Sequence, residues 1–207
     1  MSPHKLLFIL WGLFLSSTTF GQDWLAEIRQ YQDSYKLHFI LDNHSPLRAE
    51  DTGYIQFFAP DTNYRVRASF KPTPNSKEFD MPTYNGQIKK FRQYGTLTFQ
   101  IQNTVCTLQV YQNPVLAKKK GTRDYLFLPF KDQTNYVSSY GGGRYIELRT
   151  GEIKKDSVWI DFNKSYNPYC AYGEGYSCPI PPTENHLPIA IPAGEMNFAK
   201  PGLSEDH

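Results

Sequence analysis

The longest apolar run in this sequence is short, the ten residues Leu6 to Leu15. Crossing roughly 30 Å of hydrocarbon takes about 20 helical residues, so stable membrane insertion is not expected. Charge of one sign is lacking too, with 22 Lys and Arg against 20 Asp and Glu. So even a balance offers no field for nucleic acid or an anionic membrane surface. Lys118-Lys-Lys120 with Arg123 is the one basic cluster, and beside Gly121 it reads as a solvated turn. Only three cysteines are present, with no closely paired set to hold zinc or run redox chemistry, so no metal and no cofactor is expected. A serine-hydrolase elbow, a zinc-protease helix and a dinucleotide loop are missing as well. Nothing repeats, and strands do not alternate with helices, which disfavours a doubly wound sheet.

What is present begins with a three-part leader. Lys5 precedes the apolar run, Ser16 to Gly21 is small and polar, and Thr19 and Gly21 suit the −3 and −1 positions of a cleavage site. Cleavage before Gln22 is expected, which places the protein in the periplasm or outside the cell. Losing residues 1–21 removes one Lys and no acid, leaving 186 residues with a net charge near +1. That length fits a single domain, residues 22–199, with 200–207 as a flexible tail.

From Asp23, a candidate N-cap, apolar residues recur at helical steps. Trp24, Leu25, Ile28, Tyr31 and Tyr35 predict an amphipathic helix over 23–37. After Thr52 the period drops to two. Tyr64, Val66, Ala68 and Phe70 share one face, and Leu97, Phe99 and Ile101 pair across Gln102-Asn103 with Cys106, Leu108 and Val110 as a hairpin. Further strands are expected at 54–58, 77–81, 87–93, 125–129, 144–149 and 157–162. Short strands at this spacing argue for a mainly β fold, an antiparallel β-sandwich or barrel-like core with one N-terminal helix. A long C-terminal segment remains, too rich in proline and glycine for regular structure. A stretch of that kind is either clamped onto a scaffold or lines a site.

Leu128-Pro-Phe130, Asp132, Thr134, Tyr140-Gly-Gly-Gly-Arg-Tyr145, Asp161-Phe-Asn163, Tyr166-Asn-Pro168, Cys170-Ala-Tyr172, Cys178-Pro, Pro181-Pro182, Glu184-Asn185 and Ala193-Gly-Glu195 follow one order and spacing. In these the chain resembles the bacterial and archaeal domain-of-unknown-function 1684 family over roughly residues 24–198. The resemblance implies no activity. His186 is not required by the family pattern.

The candidate chemistries come from the same residues. Cys170 and Cys178 would close a small loop as a disulfide, stabilising by somewhat under about 3 kcal/mol. Reduced structural thiols, a metal ligand or a nucleophile are the alternatives. Cys106 on its inward face reads as a small hydrophobe. The Gly141 to Gly143 run leads into a strand rather than a helix, so it reads as a turn and not a phosphate cradle. Arg144 behind it could hold a carboxylate of Asp161, Glu184 or a ligand. The leading expectation is a small-ligand-binding module, its site formed where Tyr140 and Arg144 meet Asp161, Asn163, Tyr166, Asn167, Tyr172, Glu184 and Asn185. The rival is an extracytoplasmic hydrolase using Asp161 with Glu184 or Glu195 as acid and base. A third reading is a structural domain that serves a protein partner and has no small-molecule site. Mass spectrometry of the exported protein should find Gln22 first and one oxidised thiol pair. An N-terminus retaining residues 1–21 would reject the leader.

Overall fold

The computed structural model describes residues 17–201, and side-chain burial from Gln22. The expected leader thus falls outside the described residues except for the backbone of 17–21, and the tail lies outside them beyond residue 201. Helix α1 spans Ser17–Leu41 and is followed by seven strands: β1 Arg65–Pro72, β2 Glu78–Pro82, β3 Ile88–Ile101, β4 Thr104–Gln112, β5 Tyr125–Phe130, β6 Arg144–Arg149 and β7 Ser157–Asp161.

All seven belong to one antiparallel sheet in the order β6-β5-β4-β3-β1-β7, with β2 beside the first half of β3. The two end strands do not pair with each other. Yet Ile146 and Leu148 of β6 share a buried cluster with Val158 and Ile160 of β7. One sheet whose two ends bury into a common core must curl, and it forms an antiparallel half-barrel. Of the two expected architectures, the barrel-like one is found and the two-sheet sandwich is not.

Period-two alternation explains the curl. Ala68, Leu97, Phe99, Leu108, Val110, Leu126 and Leu128 point into it and are buried. Phe91, Tyr111, Phe127 and Tyr145 form a second cluster on the outer face. The stretches expected as strands 87–93 and 97–101 are one strand, β3, with a bulge between Gln93 and Gly95 that shifts its register against β4. Residues 54–58 are not a strand. A 3-10 turn occupies Ala49–Tyr54, and only Phe57 bridges, to Glu195 of the irregular segment, because no strand lies alongside to pair with.

Helix α1 continues to Leu41 because Phe39 extends the buried stripe of Trp24 and Ile28. Asp23 lies inside this helix and is not its cap. The helix meets the C-terminal segment rather than the inside of the curl, with Phe39 packed beside Tyr172 and against Tyr169. Among the described residues no helix is long and apolar enough to cross a membrane.

The irregular segment completes the sheet. β4 and β5 share one paired position, Tyr111 with Phe127. Continuing that register sets Pro129 opposite Gln109, but Pro129 has no N–H to give. The side chain of Asn185 fills the gap. Its Oδ1 accepts from Gln109 N at 2.7 Å, and its Nδ2 donates to Gln109 O at 2.8 Å and Pro129 O at 2.6 Å. A carboxamide thus acts as a missing piece of ladder. Asn185→Ala should lower stability by about 3 kcal/mol or more, since it strands buried backbone groups. Asn185→Asp should cost more than alanine, because a carboxylate would face two carbonyls. Urea denaturation checks the order.

Candidate functional site

The expected site residues divide into a buried hub and an open cleft. Arg144 opens β6 at the end of the glycine turn, where Gly143 sits at φ +93°. A Cβ on Gly143 would lie 2.7 Å from Phe130 O, so only glycine fits here. The Arg144 side chain is fully buried. Its Nη2 donates to Asp132 Oδ2 at 2.7 Å and Ile191 O at 2.8 Å, while Nη1 donates to Ala193 O and, at 3.2 Å, to Glu195 O. The rings of Phe58 and Phe130 lie 5.9 and 5.4 Å from the guanidinium carbon. Asp132 in turn accepts from Thr134 N, Thr134 Oγ1 and Ile191 N. Its carboxylate, and not that of Asp161 or Glu184, is the partner of Arg144.

Asn163, Asn167, Asn185 and Glu195 are as buried as Arg144, and Tyr140 and Tyr172 nearly so. Most of their polar groups turn to the protein's own backbone and side chains, although Asn167 Oδ1 has no partner among the described residues. Asn163 exchanges hydrogen bonds with the backbone of Asp61, and Asn167 Nδ2 donates to Met196 O at 2.8 Å. Glu195 accepts from Asn167 N at 2.8 Å, Tyr35 Oη at 3.1 Å and Tyr172 Oη at 2.5 Å. Burial is the main influence on this carboxyl and pushes its pKa up to about 7, against the three donors and the Arg144 charge, which pull the other way. Cys170 and Cys178 form the disulfide that ties the segment together, and Cys106 is a buried free thiol.

Asp161 and Tyr166 are only partly buried. They line a cavity of about 610 Å³ on the outer face of the sheet, under α1 and between β6 and β7. Alternation sets Glu147 outward on β6 and Trp159 and Asp161 outward on β7, while Tyr31 and Tyr35 reach in from α1. Glu147 Oε1 accepts from Tyr166 Oη at 3.1 Å and Tyr125 Oη at 3.4 Å. Asp161 accepts from Trp24 Nε1 at 3.0 Å and from Asn163 Nδ2 at 2.8 Å. Lys164 meets Glu27 at 2.5 Å, and this bond holds the Glu27 carboxyl below its ordinary range. A second cavity, of about 380 Å³, shares the walls Tyr166 and Tyr169 and continues over Phe91, Phe127 and Tyr145.

The three carboxylates expected to serve hydrolysis make separate contacts. Asp161 bonds to Trp24 and Asn163, Glu195 to Tyr35, Asn167 and Tyr172, while Glu184 is exposed beside Thr183. No hydrogen bond joins any two of them, and no partner is shared among the described residues. Nor do three or more His, Cys, Asp or Glu side chains gather there in a way that could hold a metal. His186 is exposed, its Nε2 3.2 Å from Pro181 O. Sequence reasoning missed Tyr31, Tyr35 and Glu147 as cleft residues. The two tyrosines were legible only as an apolar helix face, and Glu147 only as the outward position of a strand.

The profile of a family described as "Protein of unknown function (DUF1684)" matches residues 52–196. The chain belongs to this family. An uncharacterized protein of Haloarcula marismortui, solved in solution by NMR, is similar to it at 29% sequence identity, over 88% of this chain and 98% of that one, with a TM-score of 0.68. Among curated proteins nothing matches. The DUF1684 match takes in the whole Arg144 hub and the sheet side of the cleft, while α1 lies before it.

The raised pKa of Glu195 has a definite sign. With a folded value of about 7 against an ordinary 4.5, the folded state holds the proton longer. Its stabilising contribution is fully present below the ordinary value and is lost as pH rises through about 7. The stability of wild type relative to Glu195→Gln should therefore fall by about 3 kcal/mol between the two limits, read from urea melts over that range. A flat difference rejects the raised value.

Proposed function

We propose that this protein is an exported small-ligand-binding module whose site is the cleft between α1 and the open edges of the half-barrel. The observation that carries the reading is the cavity itself. At about 610 Å³ it falls within the roughly 300–1,000 Å³ common for small-molecule sites, and it sets tyrosine and tryptophan rings beside a few fixed polar groups. The expected ligand surface thereby moves from the glycine turn to its neighbour across β6, keeping Asp161 and Tyr166. Export is supported by the leader pattern and by the Cys170–Cys178 bridge, which suits an oxidising compartment. No observation favours hydrolysis over binding, since no hydrogen bond or shared partner links Asp161 to Glu184 or Glu195, the acids expected to work with it.

Thermal shift against a library of soluble metabolites tests the reading, with Glu147→Trp as a variant that fills the cleft from an exposed position. A ligand at a hundred times its Kd adds about 2.7 kcal/mol, which is about 5–10 °C in a domain of this size. Compounds that raise Tm in wild type should fail to do so in Glu147→Trp. Equal shifts in both proteins would place any binding elsewhere and reject the cleft.

A further inference from the structure

We infer that the cleft takes a small organic cation, a primary or quaternary ammonium, seated against Glu147 and the neighbouring tyrosine rings. This rests on the cleft being a ligand site and adds the ligand's charge and class. Four acids line it, Glu27, Glu147, Glu152 and Asp161, against two permanent cations, Arg65 and Lys164. Two of the acids have cationic neighbours within the lining. Glu27 holds Lys164 at 2.5 Å, and Asp161 has Arg65 Nε at 3.9 Å besides its two hydrogen-bond donors. Glu152 turns to the backbone and accepts from Arg149 N.

Glu147 is left. Its Oε1 takes both phenol hydrogens, and Oε2 has no protein donor among the described residues. The nearest cation in sequence, Arg149, is turned to Asp124 at 3.0 Å and to the face of Tyr125. An ionised carboxylate has about four acceptor positions, so Glu147 retains room for the N–H groups of a primary ammonium or, by charge alone, for a quaternary one.

The walls suit the same guest. Tyr31 and Tyr35 lie nearly parallel, with ring centres 6.3 Å apart, and Tyr166 is 5.7 Å from Tyr35. Ring faces attract cations, and aromatic cages are a recurrent way to hold ammonium groups. The cleft already uses its rings this way. Arg65 sits 5.2 Å over Trp159 and Lys164 5.9 Å over Tyr31, while no side-chain cation of the described residues lies over Tyr35 or Tyr166. An anionic guest would meet two uncompensated carboxylates. A neutral sugar could stack on the rings but would leave the charge of Glu147 unmatched.

Isothermal titration of the purified protein at low ionic strength separates these guests. Choline and n-butylamine are the cationic probes. 3,3-Dimethylbutan-1-ol, the uncharged carbon analogue of choline, tests shape without charge, and methyl glucoside tests stacking of a neutral sugar. At least one cation should bind, the uncharged analogue should bind about tenfold more weakly or worse, and Glu147→Gln should weaken the cation by about tenfold. Glu147 is exposed and glutamine still accepts from both phenols, so this variant should keep the wild-type Tm. Equal binding of choline and its neutral analogue, preference for the glucoside, an unchanged affinity in Glu147→Gln, or no binding of either cation would each overturn the inference. If the library screen still finds a ligand lost in Glu147→Trp, the cation assignment alone has failed and the cleft stands.

Discussion

A guanidinium buried among carbonyl groups fixes the relation between sheet and C-terminal segment. Arg144 starts the end strand β6, and its side chain reaches the carbonyls of Ile191, Ala193 and Glu195 while Asp132 balances its charge. Burying such a pair is expensive in desolvation, and removing one partner typically costs about 3–5 kcal/mol because the other charge remains. What the pair contributes is position. Gly194, at φ +78°, lets the segment turn tightly over Ser165, so that Glu195 N reaches Ser165 O and its carboxyl reaches Tyr35 of α1. The helix that roofs the cleft is thus held by the segment that Arg144 holds.

Proline prevents most of residues 166–200 from pairing as a strand, and the chain compensates with amide side chains. Asn163 and Asn185 each use both a donor and an acceptor, the pattern of a peptide group, on backbone distant in sequence, and Asn167 gives its donor to Met196 O. Much of the dense polar motif shared with the DUF1684 family is therefore architecture. The cleft uses its margin: Asp161 and Tyr166 belong to the motif, but the ring faces opposite come from the helix.

This separation explains what was legible in the sequence. Alternation revealed the strands, because the inward positions from Ala68 to Ile160 are mostly apolar, and the hairpin at Gln102-Asn103 needed only local pattern. Helical spacing revealed α1 but not its length, since Phe39 becomes part of the stripe only against Tyr172. The resemblance contained Asp132, yet nothing in one dimension distinguished it from Asp161 or Glu184 as the partner of Arg144. The cleft was not legible at all. It lies where two strands at opposite ends of the sheet order approach without pairing, and no period marks such a gap.

The wedge of Asn185 makes the continuity of the sheet a late event. β1 to β4 can zip through local hairpins, and β5 with β6 is another local unit, but the group that stitches Gln109 to Pro129 lies 56 residues beyond that proline. Contacts so remote in sequence form slowly, after loop closure has reduced chain freedom. A chain ending at β7 would have β4 and β5 paired at Tyr111 and Phe127 but would lack the carboxamide that extends their seam to Gln109 and Pro129. Completion waits for the carboxyl end, so the molecule becomes one body only when nearly all of it is free to move.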